Sequence, residues 1–292
     1  MVMAVSNQII RGGYFMNYQD YFSKKICVVT GAASGIGFAV SEALLKAGAT
    51  VIMADRNTKN LEEAVERLGI HGGHVHSMTV DVSKEEQVRH MIEDTAERYG
   101  RLDVLFNNAG IPASLPIGDA TLDMWRKVID VNLWSVIYGI HYVLPIMRKQ
   151  GGGHIVNTSS IAGLLTPPYQ SVYSATKFAV AGMSECLRFE LGDENIHVSV
   201  VCPGNVASRI FGTPVFGEVV EAKIPDDAIS AEEAAEIILK GVANKEGIIA
   251  FPEKYRQMWL QYWSNPKEAE KGFREEARQR RKAIEATGTI YQ

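Results

Sequence analysis

"TGAASGIG", residues 30–37, is the stretch on which the fold turns. It follows the apolar run "ICVVT" (26–30) and leads into "IGFAVSEALLKAG" (36–48), whose apolar residues recur at helical spacing up to a stop at Gly48. Strand, glycine-rich turn and helix in that order predict a backbone that can close around a pyrophosphate at a helix N-terminus. Gly31 permits the tight turn, while Gly35 and Gly37 allow close backbone approach. The spacing G-x3-G-x-G differs from the commoner G-x-G-x-x-G, so the flanking strand and helix carry the dinucleotide reading.

Working outward, short apolar runs alternate with helical patterns. "TVIMAD" (50–55), "HVHSMTVD" (74–81), "LDVLFNNAG" (102–110), "HIVNTSS" (154–160), "IHVSVVCPG" (196–204) and "GIIAF" (247–251) read as strands or strand ends. Between them lie helical stretches, two of them long and ahead of residue 154. The helix after residue 81 is expected to open with Ser83 as N-cap and Glu86 in capping-box position. Such alternation predicts parallel βαβ units with right-handed crossovers. Ligands of such a sheet gather beyond the carboxyl ends of the strands. TGAASGIG, NNAG, NTSS and PGN all follow strands and are expected at one edge.

Composition narrows the function. The 292 residues are 46% hydrophobic and 22% charged, with a formal net charge of -4. That balance fits a soluble, well-cored chain and argues against nucleic acid or an anionic membrane as a general partner. Cys27, Cys186 and Cys202 are widely spaced among apolar residues and read as reduced core thiols. No apolar run reaches the ~18 residues of a membrane-spanning helix. "MVMAVSNQIIRGGYFMN" lacks the pattern of a signal peptide, Met16 is a possible second start, and a cytoplasmic location is the default expectation. His71, His74 and His76 invite a metal reading, but without a convincing third ligand no metal is expected.

Asp55 ends the second strand, twenty residues beyond Gly35, where a carboxylate can accept hydrogen bonds from ribose hydroxyls. It would repel the 2′-phosphate of NADP, and Ser34 adds no positive charge. NAD is therefore expected, with NADP the less favoured alternative because Arg56 could bind a phosphate.

With TGAASGIG, NNAG, NTSS and "YSATK" (173–177) in this order, the chain resembles the short-chain dehydrogenase/reductase family over roughly residues 24–252. The resemblance implies an α/β, Rossmann-type, doubly wound parallel sheet of about seven strands flanked by helices. It would form one domain over 24–252, between an N-terminal extension (1–23) and a helical C-terminal extension (253–292). It implies a cofactor site of Gly31, Ser34, Gly35, Ile36 and Gly37 at the turn, Asp55 and Arg56 at the ribose, and Asp81 and Val82 near the adenine. Asn107, Asn108, Ala109 and Gly110 follow strand four, and Pro203, Gly204, Val206 and Ser208 follow strand six. Ser208 stands where the family usually has a Thr. The implied catalytic residues are Asn132, Ser160, Tyr173 and Lys177; the thirteen-residue spacing to Tyr173 selects Ser160 over Ser159. Assembly as a homotetramer or dimer through the helices over 132–147 and 173–191 is also implied.

Tyr173 and Lys177, at i and i+4, share a helix face. An ammonium there favours phenolate and lowers a Tyr pKa of ~10 toward working pH, as abstraction of an alcohol proton requires. The reading is an oxidoreductase acting on CH–OH groups: Tyr173 is the base, Ser160 holds the substrate oxygen, and Lys177 tunes Tyr173 and binds the nicotinamide ribose. The family resemblance gives Asn132 a water that links Lys177 to solvent.

The residues expected around the substrate, Leu115, Leu165, Tyr169 and Phe211 beside Ser160 and Tyr173, are mostly apolar, with Arg209 the one evident cation. A hydrophobic secondary alcohol or ketone fits such a lining. The irregular stretch 203–229 reads as a substrate loop or lid. In the tail the first helix is apolar enough to dock. The second, with Arg278, Arg280, Arg281 and Lys282 interleaved with Glu275 and Glu276, reads as a largely solvated helix.

Overall fold

The computed structural model describes residues 17–69, 74–216 and 223–287. Seven parallel strands form one sheet: β1 (Ile26–Thr30), β2 (Thr50–Asp55), β3 (Val75–Thr79), β4 (Val104–Asn107), β5 (Gly153–Thr158), β6 (Ile196–Pro203) and β7 (Ile248–Phe251). Their spatial order is β3-β2-β1-β4-β5-β6-β7. The order reverses between β1 and β4, which opens a crevice above those two strands. This is the Rossmann-type, doubly wound α/β architecture, with a helical C-terminal region.

Continuous apolar runs make the strands because helices cover both faces of the sheet. Along β1 every residue is buried, yet Ile26 and Val28 belong to one core and Cys27 and Val29 to the other. On the second face pack α1 (Tyr18–Phe22), α2 (Gly35–Lys46), α3 (Thr58–Leu68) and, further along the chain, a helix over Ala231–Ala243. On the first face pack α4 (Glu85–Tyr99), the helical stretch 122–150 and a helix over Ser171–Glu190.

The two long helical stretches expected before β5 are one continuous stretch: α5 (Leu122–Ile129), a π-helical turn (Asp130–Trp134) and α6 (Ser135–Gln150). This stretch is also apolar enough to span a membrane by length and composition, with a mean hydropathy of 1.2. Here Val128, Val136, Ile140 and Val143 are buried in the core. Then follow α7 (Ser171–Glu190), α8 (Ala231–Ala243), α9 (Glu253–Ser264) and α10 (Pro266–Thr287).

Two expectations need correction. Ser83 does not cap α4; its hydroxyl donates to Asp81 Oδ1 at 2.7 Å, and Lys84 takes the cap position without a side-chain bond. Cys186 is exposed, whereas Cys27 and Cys202 are buried core thiols. Part of the N-terminal extension is built into the fold: Phe22 is fully buried, and Tyr21 Oη lies 2.9 Å from His154 Nδ1. The second tail helix is largely exposed, as expected, with Phe273, Glu276, Arg280 and Ala283 forming one inward face. Ala283 is buried, and Arg280 Nη1 donates to Pro168 O at 2.7 Å. Met16 and His71 lie outside the described residues. Of the remaining pair, His74 Nδ1 sits 3.4 Å from Thr50 Oγ1 and His76 packs on Tyr99.

Candidate active site

Two adjoining cavities open at the carboxyl edge of the sheet. The first, of 310 Å³, runs from the glycine-rich turn to α7. Gly31, at φ +66°, begins the turn. Gly37 has no room for a side chain, since a Cβ would collide with Gly31 O and press on Asn108 Nδ2. The turn is braced by Thr30, whose Oγ1 accepts from Asn108 N at 2.9 Å and Ala109 N at 3.1 Å; Asn108 Nδ2 donates to Thr30 O at 2.9 Å. The ends of β1 and β4 are thus locked together.

Asp55 faces this turn, its Oδ2 accepting from Ala33 N at 3.2 Å and its Oδ1 from Asn57 N at 3.0 Å. Arg56 is exposed at the cavity rim. Asp81 and Val82 line the same cavity, as do Ser34, Ile36, Gly110 and Ser208. A glycine cradle at a helix N-terminus, followed by a carboxylate at the next strand end, suits a dinucleotide. Pro203 borders both cavities, while Gly204 and Val206 line only the second.

Lys177 is 3% exposed, and its Nζ donates to Thr158 O at 2.9 Å. Burial pushes its ammonium down to about 8. Its Nζ stands 5.5 Å from the Tyr173 ring centre. Asn132 is fully buried at the π-helical turn, a local widening often found at functional positions. Its side chain pairs with the Ile111 backbone in both directions at 2.8 Å. Beneath Gly110, Asn132 Oδ1 and Lys177 Nζ converge.

The second cavity, of 300 Å³, contains Ser160, Leu165, Tyr173 and Phe211. Ser160 Oγ accepts from Ala162 N at 3.1 Å. Leu115 and Tyr169 line neither cavity; Leu115 N instead donates to Tyr169 O at 2.8 Å, so the two loops carrying them brace each other. Tyr173 is the one titratable side chain bordering both cavities among the described residues.

The tail supplies part of this cavity's wall through Tyr255, Met258, Phe273, Glu276 and Arg280, in line with the expectation that its aromatic helix could close the pocket. Arg209, the cation expected near the substrate, is exposed beside the first cavity instead, and Arg280 is the guanidinium of the second. Gly204 lets Tyr255 approach, since a Cβ there would overlap its ring. Tyr255 Oη donates to Asp227 Oδ2 and accepts from Asn205 Nδ2, both at 2.8 Å, and Lys254 pairs with Asp227. Those bonds hold Asp227 down to about 2 against its desolvation. They pin both ends of the stretch 203–229 to α9; residues 217–222 lie outside the described ones. An i,i+3,i+7,i+10 pattern at 273, 276, 280 and 283 was the available signal for the tail, masked by its charged members.

The family model described as short chain dehydrogenase matches residues 25–214. The chain is 37% identical over 224 residues to a 3-oxoacyl-[acyl-carrier-protein] reductase of Thermotoga maritima, covering 74% of this chain and 89% of that one. It is 34% identical over 231 residues to a D-beta-hydroxybutyrate dehydrogenase of Rhizobium meliloti, covering 77% and 86%. A solved short chain dehydrogenase/reductase from Burkholderia phymatum, in complex with NAD, superposes with a TM-score of 0.78 at 28% identity, covering 84% of this chain and 95% of that one.

Proposed function

We propose, from the premise that this chain belongs to the short-chain dehydrogenase family of oxidoreductases, that it interconverts a secondary alcohol and a ketone with NAD. The observation that carries the reading is the position of Tyr173 at the junction of the two cavities, with Lys177 beside it. A proton-transfer group there can touch a substrate hydroxyl while the reacting carbon faces the first cavity.

When bound in the first cavity, the nicotinamide supplies the hydride acceptor or donor. The chain's own residues do the rest. Tyr173 takes the hydroxyl proton in oxidation and returns it in reduction, with the nearby ammonium of Lys177 favouring its phenolate form. Ser160 holds the substrate oxygen as charge develops on it. Lys177, anchored by Thr158 O, is placed to bind the nicotinamide ribose, and Asn132 stands where a proton path from Lys177 would begin.

Asp55 supports NAD over NADP, because its carboxylate faces the turn while Arg56 lies out at the rim. Ile161, Leu165, Phe211 and Met258 support a mainly hydrophobic substrate body. Phe189 and Trp134, exposed on and beside the long helices, support a homo-oligomer built on those helices.

The test is a screen of secondary alcohols and ketones followed by NADH absorbance. Tyr173→Phe is expected to lose activity ~10²–10⁴-fold while still binding NAD. Near-normal turnover in that variant would sink the assignment.

A further inference from the structure

We infer that Glu276 and Arg280 of α10 bind a second, uncharged oxygen function of the substrate, such as a hydroxyl. The inference rests on the second cavity being the substrate site, as proposed above.

Phe273, Glu276 and Arg280 all border that cavity from α10, at helical spacing. The Arg280 guanidinium is held on two sides: Nη1 donates to Pro168 O, and Nη2 pairs with Glu276 Oε1, each at 2.7 Å. Its side chain is 20% exposed and that of Glu276 35%, so the pair belongs to the wall and not to open solvent. The neighbouring Arg281 Nε donates to Tyr169 Oη at 3.2 Å. Two consecutive arginines therefore tie α10 to the loop that follows Ser160. The wall elsewhere includes Gln170 and Ser114, joined by a 3.2 Å hydrogen bond.

The charges decide the ligand class. An arginine alone in such a wall would attract a carboxylate or phosphate bidentately. Here Glu276 already neutralises Arg280, and an anionic substrate would meet the carboxylate along with the guanidinium. A hydroxyl has no such conflict: it donates to Glu276 and accepts from Arg280, which has five donors. Gln170 and Ser114 are likewise neutral donors and acceptors. Ile161, Leu165, Phe211 and Met258 in the lining, and the 300 Å³ volume, at the low end of the ~300–1,000 Å³ usual for small-molecule sites, suit a compact, partly hydrocarbon body. The substrate is thus a small diol or hydroxyketone.

Three ligands test this on the full-length, NAD-saturated protein by calorimetric titration and turnover. They are a cyclohexane ring with one hydroxyl, the same ring with a second hydroxyl opposite the first, and the ring with a carboxylate there instead. The diol is expected to bind at least about tenfold tighter than the other two, the scale of a hydrogen bond to a charged group. Glu276→Gln, which keeps the side chain's shape but frees the Arg280 charge, is expected to move preference toward the carboxylate by about tenfold or more. Should that variant fail to fold, Glu276→Ala carries the same comparison. An unchanged ranking in the variant, a wild-type preference for the carboxylate, or no binding of the diol overturns the inference. The predicted binding order without turnover would keep it and reject the oxidoreductase reading alone.

Discussion

Ser159 and Ser160 are neighbours at the end of β5, yet their hydroxyls point to different tasks. Ser159 Oγ donates to the Lys177 carbonyl at 2.7 Å, while Ser160 lines the second cavity. Ser160→Ala is expected to lower kcat by ~10²–10³, the usual result of removing one donor to a developing oxyanion, and to cost ~1 kcal/mol of stability because its Oγ accepts from Ala162 N. Ser159→Ala is expected to cost a similar ~1 kcal/mol of stability with a much smaller effect on kcat. Paired kinetics and urea unfolding of the two variants check this; a reversal of the two kinetic effects would assign the wrong serine.

Lys177 gives a signature in stability against pH. Its folded pKa, about 8, lies below its ordinary 10.5, so between those values the unfolded chain binds more protons. Stability from this group therefore rises as pH climbs through that window, and the burial penalty is full below it. Relative to Lys177→Met, the nucleotide-free protein is expected to gain up to ~3 kcal/mol between about pH 7.5 and 10.5. Urea unfolding of both proteins across that range measures the difference, and a flat difference would contradict it.

Gly37→Ala places a methyl group against Gly31 O, a backbone atom that cannot swing away. Overpacking of ~1–3 kcal/mol is expected, with NAD affinity reduced at least about tenfold as the turn shifts. A thermal melt and a nucleotide titration separate the two effects.

Asp55→Asn keeps the shape of the side chain that accepts from Ala33 N and removes its charge. The ratio of NAD to NADP affinity is expected to fall about tenfold, equivalent to ~1.4 kcal/mol. An unaltered ratio would shift the discrimination to Arg56.

The sheet and the first cavity were legible because the signals are local. Each strand is a short apolar run, and each polar cluster sits directly after one. The pairing of Tyr173 with Lys177 follows from four residues of helix. The joining of α5 and α6 through a π-helical turn had no such signal, because one extra residue in a helical turn leaves the hydrophobic pattern nearly unchanged. Ser83 matched a capping pattern, but Asp81 offered its hydroxyl a stronger, charged partner. Arg280 is legible only as one charge among many: its partner Pro168 lies 112 residues away, and nothing in the intervening chain announces the contact.

That contact joins a residue inside the stretch matched by the family model to one beyond it. The first cavity draws on residues from Gly31 to Thr213, inside the stretch matched by the family model. The neighbouring cavity borrows Tyr255 through Arg280 from beyond it. Mutations in α10 are thus expected to alter the second cavity without disturbing the turn, the Asp55 carboxylate or the Tyr173–Lys177 pair. On the reading proposed above, the reaction rests on residues inside that stretch, while α9 and α10 add to the wall of the second cavity. Exchanging α9 and α10 as a unit is the natural route to reshaping it.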